Sequence, residues 1–160
     1  MRMKRILNNI FLSLPIIGLI GVSSCKKKEE FPIEPVIKYS NFVISGDSAK
    51  LYFTFTDGDG DIGLAKTDTG VDFFIKYFEL QNGNWKEIIL PAPFNYRMPE
   101  INKSGKKKAF QGEVIIDITP TYYNPFSNFD TLRYEFYIKD KALHESNHET
   151  TPDYSIIAPQ

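Results

Sequence analysis

"LRYEFYIKD", residues 132–140, alternates without a break. Leu132, Tyr134, Phe136 and Ile138 are apolar or aromatic, while Arg133, Glu135, Tyr137 and Lys139 between them carry polar ends. In an extended chain successive side chains point to opposite faces, so a period of two marks a strand buried on one side only. The same pattern recurs outward from this stretch. In "AKLYFTFT" (49–56), Leu51, Phe53 and Phe55 share one face, and Tyr52, Thr54 and Thr56 the other. "AFQGEVIIDI" (109–118) sets Phe110, Val114, Ile116 and Ile118 against Gln111, Glu113 and Asp117. Further strands are expected over 36–44, 71–80, 85–90, 94–98 and 153–157, with a tight hairpin at Asn82-Gly83. No helical stripe appears beyond the N-terminal segment. Seven or eight strands with turn signals between them predict an all-β fold, a single antiparallel β-sandwich over 36–160.

The N-terminus has a different organisation. Arg2, Lys4 and Arg5 precede "IFLSLPIIGLIGV" (10–22), interrupted by Pro15 and Gly18. A basic start followed by a short apolar run is a signal peptide, and a membrane-crossing helix needs ~20 apolar residues. The run ends in "VSSC", which resembles the lipobox of bacterial lipoproteins, with Val at −3 and Ser at −1. Cys25 is the chain's one cysteine and stands where that motif places the lipidated residue. The resemblance implies a signal peptide at 1–24, lipidation at Cys25 and a charged tether over 25–35. "KKKEE" (26–30) lacks the Asp after the cysteine that marks inner-membrane retention in enterobacterial lipoproteins. It resembles the surface-export signal of Bacteroidetes-type lipoproteins, which implies an outer-membrane, cell-surface location; the periplasmic face is the alternative. A single lipidated cysteine leaves the folded part without disulfides.

Three of the 19 basic residues lie in the signal peptide, leaving 16 against 20 acidic ones. That balance excludes the basic footprint of a nucleic-acid-binding domain. No Ser/His/Asp arrangement, phosphate-binding glycine loop or redox cysteine pair is present.

"DTLRYEF" (130–136) resembles the Asp-x-x-x-Tyr-x-Cys stretch of immunoglobulin domains, with Phe136 in the place of the cysteine. Fibronectin type III modules likewise carry the Tyr without a disulfide. The resemblance implies an Ig-like or fibronectin III-like sandwich in which Tyr134 forms the tyrosine corner. "DKALHESN" (140–147) resembles the strand-end turn Asp-Lys-Ala-Gly-Asn-x-Ser-Asn of bacterial Ig-like modules, with Leu143 and His144 replacing Gly and Asn.

His144, Glu145 and His148 spell His-Glu-x-x-His, the zinc-binding core of a metalloprotease class, and are the chain's two histidines and the glutamate between them. The motif works on a helix, which sets both imidazoles on one face with the Glu as general base. Ala142 and Leu143 are the sole apolar residues from 140 to 151, Ser146 and Asn147 favour turns, and Pro152 ends the segment. The positions of the usual third ligand fall on Thr151 and Tyr154. A loop is therefore expected here, with a zinc metallohydrolase as the competing reading.

"DGDGDIG" (57–63) places Asp57, Asp59 and Asp61 at alternate positions among glycines. Carboxylates so spaced can wrap Ca²⁺. The stretch is not an EF-hand, because Ile62 stands where that loop requires Gly and Asp68 where it requires Glu. It resembles the calcium-binding loops of cadherin-like sandwich domains. In the fibronectin arrangement the loop around Asp140 shares this end, so Asp140, Glu145 or Glu149 would complete an oxygen shell around calcium. The end opposite would carry "TPTYYNPFSNF" (119–129) and the hairpin beside Trp85. Tyr122, Tyr123, Phe126 and Phe129 either plug the core or form a patch, with Trp85, for a protein or glycan partner. "KSGKKK" (103–108) is expected as a solvated hairpin tip.

The sequence thus predicts a non-enzymatic lipoprotein, anchored in the membrane through Cys25. It would present one Ig-like module for binding or assembly at the cell envelope, its acidic loop either holding calcium or standing as a glycine-rich turn with no ion. A structural subunit of an envelope complex is the remaining alternative.

Overall fold

In the computed structural model, residues 30–119 and 122–156 are described, and they form two packed antiparallel sheets without a helix. Cys25 and the signal segment lie outside the described residues. The first sheet has the order β1-β2-β5, from Val36–Ser45, Ser48–Asp57 and Phe110–Ile118. The second has the order β4-β3-β6-β7, from Asn84–Ile88, Phe73–Gln81, Thr131–Ile138 and Glu149–Thr150. A last short strand, β8 (Tyr154–Ser155), also pairs with β6.

The faces follow the alternation. Leu132, Tyr134, Phe136 and Ile138 are buried to the last per cent, as are Leu51, Phe53 and Ile118. Phe53 stacks on Phe73 across the two sheets at 5.3 Å between ring centroids, and both rings contact Phe136. Tyr134 packs against Phe42, Tyr77 and Phe94. Its hydroxyl has no hydrogen-bond partner among the described residues, so the corner bond expected of Tyr134 is not made there. Asn82 and Gly83 both take positive φ (53° and 80°), the requirement of a two-residue hairpin that follows strand twist.

One strand expectation needs correction, and one short strand was not expected. Residues 94–98 form no strand; Tyr96 exchanges both backbone hydrogen bonds with Phe73 as an isolated bridge. The strand expected over 153–157 is β8, shortened to Tyr154–Ser155; β7 before it was not expected, and Pro152 between them has no N–H to give to a ladder. Side chains fill the gaps beside the break. Thr151 Oγ1 accepts from Tyr134 N at 3.0 Å, and Ser146 Oγ accepts from Ile138 N at 3.0 Å.

Among the described residues, the buried hydrophobic side chains fall between Ile37 and Ile138, in one cluster. The sandwich is closed along one edge by Asn147. Its Oδ1 accepts from Ile37 N at 2.8 Å, and its Nδ2 donates to Ile37 O at 2.9 Å. Glu149 Oε2 accepts from Tyr39 N in the same way. These bonds tie the outer edge of β1 to the second sheet.

Candidate functional site

The loop leaving β2 is the junction of the molecule. Gly58 N donates to Pro32 O, Lys108 N to Asp59 O, and Lys141 N to Asp61 O, while Leu64 and Glu100 N–H groups bond across to Met98 and Leu64. Four separate segments therefore cross one seven-residue loop. The glycines make this close approach feasible. A Cβ on Gly60 (φ 76°) would lie 2.2 Å from Lys108 O, and one on Gly63 (φ 85°) 2.2 Å from Pro99 O.

This crowding folds Asp57, Asp59 and Asp61 together. One carboxylate oxygen from each lies within 4.8 Å of the other two. Asp57 has no solvent exposure, and its Oδ2 accepts from Asp61 N at 3.0 Å. The Oδ1 atoms of all three are buried and have no partner among the described residues. Burial, followed by the charge of Asp59, raises the Asp57 carboxyl above its ordinary value. Asp61 is raised to about 6, first by burial and then by Asp140, Asp59 and Asp57. Buried acceptors without partners cost ~1–3 kcal/mol each, more when charged. A proton or a cation would relieve that cost.

One cation is already nearby. Lys107 Nζ lies 3.1 Å from Asp59 Oδ2, the outer oxygen of that carboxylate, with its own side chain 82% exposed. The "KSGKKK" stretch is thus not a free tip: Lys107 and the Lys108 N–H hold it against the acidic loop. Around them is a cavity of about 590 Å³, lined by Ile33, Asp59, Asp61, Lys103, Lys106 and His144, among others.

The loop around Asp140 does share this end, as the lysine 141 contact requires. Asp140 does not join the three. Its Oδ1 accepts from His144 N at 2.8 Å, and its Oδ2 meets His144 Nδ1 at 2.7 Å. Glu145 and Glu149 are likewise committed, to Lys139 and His148 and to Tyr39 N. The acidic cluster consists of Asp57, Asp59 and Asp61, with Asp140 flanking.

Residues 141–148 contain no helix. His148 lies flat on Tyr137, 4.4 Å between centroids, which itself stacks on Phe74. Its Nδ1 meets Glu135 at 2.8 Å and its Nε2 meets Glu145 at 2.9 Å. Both nitrogens are occupied, and the hydrogen bond to Glu145 leads in raising its pKa. His144 serves a different carboxylate, Asp140, which raises it too. Each imidazole has its own partners.

The aromatic loop divides. Tyr122 is buried and meets Tyr123 edge-on, Tyr123 and Phe129 are half-buried, and Phe126 is 92% exposed. Asn124 N donates to Tyr77 Oη, which seats the loop on the core. Trp85 is half-buried, its ring covered by the Arg133 guanidinium at 4.2 Å. Of the five expected binding residues, Phe126 alone stands fully clear of the surface.

No family model, curated protein or solved structure matches this chain.

Proposed function

We propose that this chain is an outer-membrane lipoprotein, anchored through a lipidated Cys25. It presents a non-catalytic Ig-like sandwich for binding or assembly, with Ca²⁺ held by Asp57, Asp59 and Asp61. The strand order β1-β2-β5 against β4-β3-β6-β7 supports the fibronectin III-like variant of that fold. The observation that carries the metal is that one carboxylate oxygen from each aspartate lies within 4.8 Å of the other two, while each Oδ1 is buried without a partner among the described residues. Calcium takes six to eight oxygen ligands at about 2.4 Å, so oxygens up to twice that distance apart can share one ion. Hard carboxylate donors without sulfur or imidazole favour calcium over zinc. When bound, the ion replaces mutual repulsion at the chain crossing by coordination, and so stiffens the junction of four segments. At the far end Phe126 is the contact offered to a protein or glycan partner.

Thermal unfolding of the mature chain in EDTA and then in Ca²⁺ tests this. Calcium at about a hundred times its dissociation constant adds ~2.7 kcal/mol, a rise of several degrees. Asp57→Asn is expected to abolish the rise. A rise with zinc alone, or none with calcium, removes calcium from the reading and sends the search to the histidines or to Phe126.

A further inference from the structure

We propose that the free edge of β5 is a docking site for one extended strand of a partner protein, added antiparallel and carrying a lysine or arginine opposite Glu113. The proposal depends on neither Cys25 nor an ion in the acidic loop.

Among the described residues β5 pairs with β2 alone, so its other side is an edge. The groups on that edge follow from the far side of the same sheet. Ile37 and Tyr39 of β1 turn their N–H groups away from β2, to Asn147 and Glu149. They lie opposite Phe55 and Phe53. Antiparallel pairs alternate between bonded and non-bonded. Phe53 and Phe55 therefore aim their own N–H and C=O groups at β5, at Val114 and Gly112. By the same alternation Gln111, Glu113, Ile115 and Asp117 turn their N–H and C=O groups outward, where the described residues offer them no hydrogen bond. The other edges are covered or short. Asn147 and Glu149 cover β1 at Ile37 and Tyr39, while the Ser146 and Thr151 hydroxyls, with β7 and β8, complete β6. β4 is five residues long and carries Lys86. β5 runs nine residues with no bulge, proline or lysine to blunt it.

Strand addition satisfies such an edge through main-chain hydrogen bonds, and alternate side chains choose the partner. Ile115 is 52% exposed. Glu113 is exposed and in no ion pair among the described residues, whereas Asp117 is bonded to Lys50. On the inner face Phe110, Gly112 and Val114 are half-buried, although Phe53 and Phe55 beside them are buried. The rim of the core is therefore open along this edge. A strand with a base opposite Glu113, a β-branched residue opposite Ile115 and apolar residues beside Gly112 and Val114 matches all of these. A second copy of β5 does not, because that strand carries the acids Glu113 and Asp117 and no base.

The test uses the full chain, isotope-labelled in mild detergent, and the synthetic peptide Thr-Lys-Val-Ile-Val-Lys-Val-Lys-Thr. Laid antiparallel on β5, its isoleucine falls opposite Ile115 and its second lysine opposite Glu113. Amide exchange at Gln111, Glu113, Ile115 and Asp117, followed by NMR, is expected to slow when the peptide is added. Gly112, Val114 and Ile116, already bonded to β2, should change little. A peptide methylated on the backbone nitrogens of its isoleucine and second lysine should not bind. Glu113→Lys should weaken binding about fivefold, and a peptide with Glu in place of the second lysine should restore it. Ile115→Pro removes one outward N–H while sparing the β2 ladder, and should weaken binding by a similar factor.

Equal binding of the methylated peptide overturns the proposal, since no strand is then added. Binding that Glu113→Lys leaves unchanged overturns the basic partner. Slowed exchange at the same amides that grows with protein concentration, without peptide, assigns the edge to a second copy and overturns the proposal too. Unchanged exchange at millimolar peptide removes the site altogether. Should Ile115→Pro fail to fold, Glu113→Lys, a change at an exposed side chain, decides alone.

Discussion

Leu143 holds a left-handed backbone, φ 69°, at the tip of the turn between β6 and β7. The turn over-determines it: Leu143 N donates to Asp140 O, His144 N to Asp140 Oδ1, and Asp140 N to His144 O. The turn that this stretch resembles carries Gly at the same place, and the backbone here explains why. A left-handed non-glycine residue costs ~1–2 kcal/mol, partly offset by glycine's larger loss of freedom on folding. Leu143→Gly is therefore expected to stabilise the fold by about 0.5–1 kcal/mol, seen as a higher melting temperature; a fall would mean that Leu143 packs on something it does not touch here. The histidines show the limit of reading single residues. Ser146, Asn147 and Pro152 already argue against a helix over His144–His148. The partners that occupy the imidazoles, Asp140 and the pair Glu135 and Glu145, follow from how β6 lies beside this loop.

Among the elements, the long strands and the short β8 were legible, and β7 was not. Alternation is a local property, so the inner faces of β2, β5 and β6 could be assigned before any contact was known. β7 escaped notice because the pairing around it is completed by the hydroxyls of Ser146 and Thr151, which resemble ordinary loop residues in sequence. Asn147 belongs to the same class. Its amide copies a backbone unit opposite Ile37, donating and accepting at once, across a gap of 110 residues. Asn147→Ala leaves a buried edge N–H and C=O of β1 without partners, and should cost about 1–3 kcal/mol in urea unfolding. An unchanged midpoint would show that water replaces the amide at no loss.

For the molecule as a whole, stability should depend on pH through buried acids whose burial outweighs the countercharges near them. Asp72 is 2% exposed; its Oδ1 accepts from Met98 N at 2.7 Å, and its Oδ2 has no partner among the described residues. Burial raises its carboxyl to about 6. A folded-state value above the unfolded one means that the stability from the neutral acid is full below about pH 4, and is lost as pH rises through about 6. Asp72→Asn can keep the Met98 bond and avoids that loss. Above pH 6 it should be more stable than the parent by on the order of 1–2 kcal/mol, with little difference near pH 4, as melting across pH would read. A difference independent of pH would mean that Asp72 is neutral, or paired, throughout. The sequence by itself determined the all-β class, the inner faces and the Asn82-Gly83 hairpin, because each depends on residues a few positions apart. It also brought Asp57, Asp59 and Asp61 to notice together. Only the tertiary structure decided that their Oδ1 atoms are buried without partners among the described residues, that Asp140 belongs to His144, and that Lys107 reaches Asp59. Those outcomes depend on where Pro32, Pro99, Lys108 and Lys141 cross the Asp57–Gly63 loop, and such crossings leave no periodic trace in the chain.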